Sequence, residues 1–345
     1  MAGSAKVLHG CQRRFLPIVD PSNRQLPLHV VAGVLTDSAG RVLVNRRLRG
    51  KPLAGKWEFP GGKLERGEGR LAGLERELRE ELGIEVRSAR PLVRFRHGDG
   101  ACAVSLDIWR VDRYAGVAAG RQDQSLRWVE PAALRSIDLL EADAPIVMAI
   151  SLPDRYLITA PTCEDPDAFL ESLDRSLARG IELVQLRLAA VPGREADYRR
   201  LALACAGHCR RAGARLLLNG APQAAAVLTR EIGADGIHVP ARHLQSLAHL
   251  GDTRPRLVGA SCHNARELSA AERAGADFAV LGPVQRTASH PGARELGWAW
   301  FADLVEEVRI PVFALGGLQP ADLPRAWTAG AQGIAAIRGL WAPVE

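Results

Sequence analysis

Acidic residues are concentrated in one short stretch of the chain, residues 62–84. Glu77, Glu80 and Glu81 follow one another at helical spacing, so their carboxylates share one face of a helix, and Glu68 can add a further carboxylate just before it. Like charges at this spacing repel each other, whereas a hard divalent cation such as Mg²⁺ or Mn²⁺ is held by such oxygen donors. The pattern therefore indicates a metal site for a phosphate-bearing substrate; the alternative is a solvent-exposed acidic helix face.

An apolar stripe predicts the helix that positions these acids. Leu71, Leu74, Leu78 and Leu82 recur at helical spacing and form a face that can pack on a core. Gly83 is expected to end the helix, because glycine takes the left-handed conformation of a C-terminal cap at no steric cost. The acids then lie on a different face from the buried one.

This motif resembles the Nudix box, whose pattern GX5EX7REUXEEXGU (U apolar) is matched at every fixed position from Gly62 to Ile84. The preceding residues 58–61 (Glu-Phe-Pro-Gly) and the upstream Arg46-Arg47 resemble the MutT-type branch, the 8-oxo-dGTP diphosphatases. The resemblance covers about residues 28–150. It implies a pyrophosphohydrolase that acts on nucleoside triphosphates.

The resemblance also implies roles for individual residues. The metal, Mg²⁺ or else Mn²⁺, is expected to bind Glu77, Glu80, Glu81 and the carbonyl of Gly61. Glu77 or Glu80 is expected to take the proton from water, and the motif does not separate these two. Arg76 is expected to orient the carboxylates rather than to touch substrate. Substrate contacts are expected at Arg47, Glu58, Phe59, Pro60, Gly61 and Asp143.

Three of these substrate contacts have structural alternatives. Arg47 could be a surface arginine at a strand end, Phe59 could pack in the core, and Asp143 could cap the last helix. MutT-type enzymes have an asparagine where this chain has Asp143; an ionised aspartate only accepts hydrogen bonds, whereas asparagine also donates. Their late-loop glutamate falls near Gln122-Asp123, where Gln122 cannot be a base and Asp123 could compensate.

Size and charge narrow the class of protein. A chain of 345 residues predicts two domains. The formal net charge of +6 is compatible with steering of an anionic nucleotide, and the scattered arginines and 5% aromatic content do not predict stable nucleic-acid binding. Six cysteines without a paired framework, no membrane-length apolar run and no hydrophobic signal core lead us to expect a cytoplasmic protein.

The first half of the chain has a mixed pattern of strands and helices. Apolar runs predict strands at 28–35, 41–47, 86–96, 101–114 and 124–129, and the first two are expected to form a hairpin. A helical turn at 131–135 and a helix at 143–150 follow. We expect a loosely ordered arm at 1–25, an α/β/α Nudix sandwich with a mixed sheet at 26–150 and a linker at 151–154.

Short apolar runs alternate with helical patterns over residues 155–345. The runs lie at 155–160, 181–189, 215–220, 236–240, 256–263, 278–284, 311–317 and 333–339. Eight such runs predict a (β/α)₈ TIM barrel, whose chemistry lies at the C-terminal ends of the strands. Gly316 and Gly317 after strand seven and Arg338 after strand eight are therefore the expected phosphate site.

This second half resembles the thiamine phosphate synthase/TenI family over about residues 155–341. The matching segments are Gln185-Leu186-Arg187, Ala234 to His238, Gly259 to His263, Gly282-Pro283 and Gly316-Gly317.

Several residues that the synthases use differ in this chain. Asn219-Gly220 stands in place of an Asn-Asp metal pair, and the second metal aspartate falls near His243. One lysine falls at Ala189, and the Thr-x-Thr-Lys run is replaced by residues 287–290 (Thr-Ala-Ser-His). A synthase that needs Mg²⁺ and pyrophosphate would lack both acids and both lysines. We therefore expect a degenerate domain, closer to metal-free TenI or to a sensor of phosphate ligands.

The chain stops soon after strand eight, so the final barrel helix is expected to be missing. The outer faces of strands eight and one would then expose a large apolar patch. We expect the N-terminal arm, the Nudix domain or a partner subunit to cover it, and a homodimer through the barrel is one such arrangement.

These features predict Mg²⁺-dependent hydrolysis of 8-oxo-dGTP to 8-oxo-dGMP and diphosphate, which removes an oxidised nucleotide from the pool used for DNA replication. The alternative is a Nudix hydrolase for thiamine-related or other nucleoside diphosphate-linked substrates, with the barrel as a sensor. A third reading, in which both halves only bind phosphates, is disfavoured by the complete set of carboxylates.

Overall fold

The computed structural model describes residues 28–98, 104–121, 124–188, 193–287, 292 and 294–344. The predicted arm at 1–25 and the late-loop pair Gln122-Asp123 lie outside the described residues.

Two β-sheets and two α-helices form the described part of the N-terminal unit. Its strands are β1 (Leu28–Leu35), β2 (Val42–Arg46), β3 (Trp57–Glu58), β4 (Gly61–Lys63), β5 (Glu85–His97), β6 (Val104–Ala115) and β7 (Leu126–Val129). Its helices are α1 (Arg70–Leu82) and α2 (Ala144–Ser151), and 3₁₀ turns lie at Pro131–Ser136 and Glu141–Asp143. One sheet has the order β4-β1-β6-β5, in which only β1 and β6 are parallel, and the other has the order β3-β2-β7.

The predicted hairpin between the first two strands is wrong. β1 pairs with β4 and β6, whereas β2 pairs with β3 and β7, and a single isolated bridge between Thr36 and Val42 joins the two strands. The residues that begin the acidic motif take the place beside β1, with Gly62 opposite Val31. This non-local pairing fixes the start of the motif to the central sheet.

Helix α1 packs on the first sheet through its apolar stripe. Leu74, Leu78 and Leu82 are fully buried in one core cluster, together with Val31 and Leu35 of β1. The predicted contribution of Leu71 is wrong, because this first-turn residue is exposed and lies outside that cluster. Gly83 ends the helix as predicted, with φ 71° and its N–H donating to the Arg79 carbonyl at 3.1 Å.

The C-terminal unit is the predicted barrel. Its strands are β8 (Arg155–Ile158), β9 (Leu183–Leu186), β10 (Arg215–Asn219), β11 (Gly236–Val239), β12 (Leu257–Cys262), β13 (Phe278–Leu281), β14 (Val312–Leu315) and β15 (Gly333–Ala336). Its helices are α3 (Pro166–Leu177), α4 (Glu195–Arg211), α5 (Pro222–Ile232), α6 (Leu244–Leu247), α7 (Ala265–Arg273), α8 (Gly297–Val305) and α9 (Leu323–Thr328). All eight strands are parallel and close between β15 and β8, which confirms the TIM-barrel prediction.

Helix α2 joins the two units at the barrel floor. Met148 and Leu152 are buried in one cluster with side chains of the barrel interior, including Tyr156 and Phe313. The Gln332 side-chain amide donates to the carbonyls of Ala149 at 3.1 Å and Leu152 at 3.0 Å. The end of the first unit therefore closes the N-terminal end of the barrel.

The predicted bare face after strand eight is wrong. The Ala342 N–H donates to Ser176 Oγ at 2.9 Å, and the Val344 N–H donates to Ser172 Oγ at 3.1 Å, so the last residues lie along α3. The Trp341 ring packs against a phenylalanine of the same helix. The chain's own last segment covers this face, and a homodimer through the barrel stays a prediction.

Among the residues that the structure describes, no helix combines the length and apolar character that crossing a membrane requires.

Candidate active site

Two glycines bring the start of the acidic motif close to the sheet and to α1. Gly61 has φ 153°, and a Cβ there would overlap the Val31 carbonyl of β1. A Cβ at Gly62 would overlap the carboxylate of Glu77. Only residues without a side chain allow the backbone to approach both neighbours, so these glycines position the loop against the helix that carries the acids.

Arg76 connects the loop to the helix. Its Nε and Nη2 donate to the two carboxylate oxygens of Glu68 at 2.9 and 3.0 Å, and its Nη1 donates to Glu77 Oε1 at 2.9 Å. Nη2 also donates to the Lys63 carbonyl at 3.0 Å. The hydrogen bonds from Arg76 lower the pKa of Glu68 to about 2, and the same carboxylates raise the pKa of Arg76. Arg76 thus holds carboxylates in place, as its expected orienting role requires.

The three glutamates of the helix have different surroundings. The side chain of Glu77 is 15% exposed and bound to Arg76, whereas that of Glu80 is 58% exposed and lies 3.5 Å from Arg76 Nη1. Glu81 Oε2 accepts from the Gly61 N–H at 3.1 Å. Burial raises the pKa of Glu81 above its usual range. The structure therefore places two half-buried carboxylates, Glu77 and Glu81, and one exposed carboxylate, Glu80, along one face.

The donor set fits a hard divalent cation. Glu77, Glu80, Glu81 and the Gly61 carbonyl supply oxygen atoms alone, and within the described residues Glu81 forms no ion pair that would neutralise it. Within the described residues, no group of three or more acidic, histidine or cysteine side chains is gathered closely enough to hold a metal ion, so the motif glutamates alone do not form a complete site. An open arrangement suits Mg²⁺, because this ion commonly keeps waters and substrate phosphates among its ligands.

The expected nucleotide contacts lie on the segment that precedes the glycines. Arg47 Nη1 forms an ion pair with Glu58, and its Nε donates to the Pro52 carbonyl at 2.6 Å. This arginine is therefore engaged within the loop rather than being a free surface group. The side chain of Phe59 is buried in a core cluster of the N-terminal unit that also contains Val44, so its core-packing alternative describes where the ring lies.

Asp143 is a buried acidic residue of this region. It precedes α2, but its side chain does not cap that helix; Oδ2 instead accepts from the Phe59 N–H at 3.3 Å. Burial raises the pKa of Asp143 to about 7, and the Phe59 N–H opposes this shift. Its carboxyl can therefore exist in either protonation state near neutral pH. The protonated form can donate a hydrogen bond, whereas the ionised form can only accept.

Two polar residues of this region were missed by sequence reasoning. Gln124 is buried and its Nε2 donates to Glu81 Oε1 at 3.3 Å, and it lies just after the late loop noted above. Asn45 is buried opposite Glu58 in the β2–β3 register, and its Oδ1 has no hydrogen-bond partner among the described residues. The signal for Asn45 was a polar residue at an inward position of an apolar strand.

The barrel has a large cavity at the C-terminal ends of its strands, with a volume of about 1360 Å³. Gly316 and Gly317, with φ 113° and 69°, lie in its wall together with Arg338. Arg187 and Arg242 also line it, and among its described lining residues Glu267 is the sole carboxylate, bonded to the His263 ring at 2.8 Å. This balance of charges favours an anionic ligand.

A buried polar network lies beneath this cavity. The Tyr156 hydroxyl is 3.1 Å from His238 Nδ1, and His238 Nε2 is 2.9 Å from Ser261 Oγ. Burial lowers the pKa of His238 to about 3, so the ring is neutral. The network fixes the Ser261 hydroxyl at the cavity wall.

The positions that depart from the synthases can be located in part. Asn219, Gly220 and His243 line the cavity, so the residues that replace the metal acids face its interior. Ala189 and residues 288–290 lie outside the described residues.

Comparisons with known proteins support the family resemblance of each half of the chain. The NUDIX domain model matches residues 27–150, and the thiamine monophosphate synthase (TMP-TENI) model matches residues 155–340. A Mycobacterium tuberculosis protein with the provisional name 8-oxo-dGTP diphosphatase 2 is 42% identical over 33% of this chain and 81% of its own length. The 8-oxo-dGTP diphosphatase of Haemophilus influenzae is 33% identical over 35% of this chain and 88% of its own.

The second half has relatives of its own. A Geobacter sulfurreducens protein with the provisional name thiamine-phosphate synthase is 38% identical over 54% of this chain and 85% of its own length. The chain therefore belongs to the Nudix hydrolases over its N-terminal unit and to the thiamine monophosphate synthase/TenI family over its C-terminal barrel.

Proposed function

We propose that the Nudix unit hydrolyses 8-oxo-dGTP to 8-oxo-dGMP and diphosphate, and so removes an oxidised nucleotide before DNA replication uses it. The observation that carries this proposal is the contact of Asp143 with the Phe59 N–H. Two residues later, the Gly61 N–H binds Glu81 of the acidic helix. Asp143, which is suited to a base edge, and Glu81, which is suited to a phosphate chain, therefore both contact one short segment, residues 59–61.

The chain's own residues supply orientation and proton transfer in this proposal. Glu77, Glu80, Glu81 and the Gly61 carbonyl would hold a divalent cation, which when bound neutralises charge on the phosphate chain. Arg76 keeps Glu77 against Gly62 before substrate arrives. Such preorganisation is a large part of phosphoryl-transfer catalysis, since the bond changes need little covalent help.

Glu80 is the better candidate for the general base. Its carboxylate is exposed and lies 3.5 Å from Arg76, whereas Glu77 accepts a hydrogen bond from that guanidinium. A water oxygen would bond to one phosphorus of the α–β linkage as its proton passes to Glu80. The bond between that phosphorus and the bridging oxygen would break, and its electron pair would leave with the departing group, either 8-oxo-dGMP or diphosphate.

Asp143 supports discrimination between oxidised and normal guanine. 8-Oxoguanine carries an N7–H donor, whereas guanine has a lone pair at N7. An ionised Asp143 can accept from that N7–H and offers no donor to guanine. A site built on hydrogen bonds can discriminate strongly, because the wrong base leaves buried polar groups unpaired.

The cavity of the barrel is suited to a second ligand, one that carries a phosphate group. Its cavity presents Arg187, Arg242 and Arg338, with consecutive glycines at positive φ that can turn backbone N–H groups toward a phosphate. Asn219 and His243 replace metal-binding acids, so we propose that the barrel binds a phosphate ester without a metal. The alternative for the whole chain is a Nudix hydrolase that acts on thiamine-related diphosphates.

A substrate panel separates these proposals. Purified protein with Mg²⁺ is incubated with 8-oxo-dGTP, dGTP, CTP and thiamine diphosphate, and diphosphate and phosphate are quantified. We expect diphosphate from 8-oxo-dGTP first. Turnover of thiamine diphosphate alone would support the alternative, and turnover of none of the four would refute both.

A further inference from the structure

Charged side chains form a continuous series from the first residue of α1 to the barrel. Arg70 Nε lies 3.2 Å from Asp107 Oδ2 on β6, and Asp107 stands opposite Arg94 in the β5–β6 register. Arg94 Nε lies 3.7 Å from the same oxygen, and its Nη1 donates to Glu306 Oε1 at 2.9 Å. Glu306 follows α8 of the barrel. Four alternating charges thus connect the barrel to the helix that carries the acidic motif.

The middle of this series is buried. The side chains of Asp107 and Arg94 are only 7% and 10% exposed. Neither oxygen of Asp107 has a hydrogen bond of normal geometry within the described residues. Arg94 and Arg70 lie within 4 Å of Oδ2, and Trp109 and His29 also favour the charged form of Asp107, whereas Glu306 disfavours it. Burial raises the pKa of Asp107 to about 6, and Arg94 opposes this shift. Because removal of one partner leaves a buried charge uncompensated, each member depends on the next.

The start of α1 needs such help from elsewhere. Its N-cap residue is Gly69, which has no side chain to cap the helix, and its first turn contains no acidic residue. Arg70 instead places a positive charge at the positive end of the helix dipole, which is unfavourable. Asp107 is the negative charge that offsets it.

The barrel reaches this strand pair through backbone as well. β5 is the edge strand of its sheet, and the Arg96 N–H donates to the Glu306 carbonyl at 3.0 Å. The same residue that binds Arg94 with its side chain therefore fixes the strand edge with its main chain. This double contact makes Glu306 the point at which the barrel sets the position of Arg94.

We propose that Glu306 is a positioning residue for the Nudix active site: through Arg94 it keeps Asp107 beside Arg70 and thereby fixes the first turn of the helix that carries the motif glutamates. The barrel then supports the hydrolase, in addition to binding a ligand of its own. The kinetic consequence rests on the proposed function, whereas the effect on the helix does not.

The test compares Glu306→Gln with Glu307→Gln in the full chain. Glu307 is a matched control, because it is 57% exposed and pairs with Arg96 at 2.6 Å but not with Arg94. Glu306 also lies 3.8 Å from Arg96 Nη2, so the contact to Arg94 is what distinguishes the two variants. We expect amide hydrogen exchange at residues 70–76 to become about fivefold faster in E306Q and to stay unchanged in E307Q. In E306Q the kcat for 8-oxo-dGTP should fall about fivefold with KM unchanged. Glu306→Asp keeps the charge, so its exchange rates and its kcat should be close to those of the wild type.

Two results would overturn this proposal. One is folded E306Q with wild-type exchange in α1; the other is an equal change in E307Q, which would indicate general loosening of the interface. If E306Q does not fold, Arg94→Lys tests the same link. Lysine keeps the positive charge, but its single ammonium group cannot contact Glu306 and Asp107 as the guanidinium does. A wild-type protein inactive on 8-oxo-dGTP would refute the proposed function, and the exchange comparison would still decide this inference.

Discussion

The Asp143 carboxyl accepts a hydrogen bond from the Phe59 amide at 3.3 Å, although 84 residues separate the two along the chain. This contact places a buried group, whose pKa burial raises to about 7, beside the loop that leads into the acidic motif. Because burial raises the pKa of this carboxyl to about 7, the choice between the two bases should depend on pH.

The preference for the oxidised base should rise with pH. Below about pH 7 a protonated Asp143 can donate to the N7 lone pair of guanine, and above it the carboxylate can only accept from the N7–H of 8-oxoguanine. We expect the kcat/KM ratio of 8-oxo-dGTP over dGTP to increase about tenfold between pH 6 and 8. Asp143→Asn should flatten this dependence, because its amide does not titrate. A wild-type ratio that does not change with pH would contradict this assignment.

Loss of single carboxylates should abolish turnover without unfolding the protein. Glu80→Gln and Glu81→Gln are each expected to lower kcat by about 100- to 1000-fold, the loss typical of one electrostatic group in such a site. The matched control is Glu75→Gln, which makes the same change of charge on the same helix outside the proposed set. Steady-state kinetics and circular dichroism check this, and an active E81Q would exclude Glu81 as an essential ligand.

Gly62→Ala should displace Glu77. A Cβ at this position overlaps the Glu77 carboxylate, so the side chain must leave its place beside Arg76. We expect kcat to fall about tenfold or more, with little loss of thermal stability, since the displaced carboxylate can turn toward solvent. Gly207→Ala in α4 of the barrel is the control, because a Cβ there meets only the end of the Arg211 side chain, at an ordinary contact distance of 3.6 Å. Equal activities of the two variants would show that the approach of Gly62 to Glu77 does not matter.

The two units should unfold together. Leu152 is buried in the barrel-floor cluster, so Leu152→Ala is expected to cost about 2 to 5 kcal/mol and to shift a single thermal transition of the whole chain. Leu203→Ala on the exposed side of α4 should leave the transition unchanged. Residues 155–345 expressed alone should be markedly less stable; a fragment with native stability would argue against the role of α2 as a floor.

Local patterns predicted most of the elements, and non-local pairing decided the rest. The eight barrel runs and the α1 stripe are visible in the sequence because strand and helix periodicity depend on neighbours along the chain. The hairpin prediction was wrong because β1 pairs with β4, where Gly62 lies opposite Val31. The apolar pattern of β1 does not show which later segment will pair with it. The prediction that Leu71 is buried was wrong because periodicity does not show which turns of a helix lie against the core and which extend past it.

Sequence reasoning predicted the identity of the acidic residues better than their environment. The spacing of Glu77, Glu80 and Glu81 is local, so a shared face followed directly from it. Their different burial depends on Arg76, Gly61 and Gln124, which reach them through tertiary contacts. The series that ends at Glu306 could not be predicted, because it pairs strands of one unit with a helix end of the other.

A paired measurement of kcat/KM for 8-oxo-dGTP and dGTP, with Mg²⁺ at pH 8 and with diphosphate as the measured product, decides whether the Nudix unit selects the oxidised nucleotide. We expect one diphosphate for each 8-oxo-dGTP consumed and a kcat/KM ratio of about 100 or more in favour of the oxidised nucleotide. Equal values for the two nucleotides, or release of orthophosphate instead of diphosphate, would contradict this expectation.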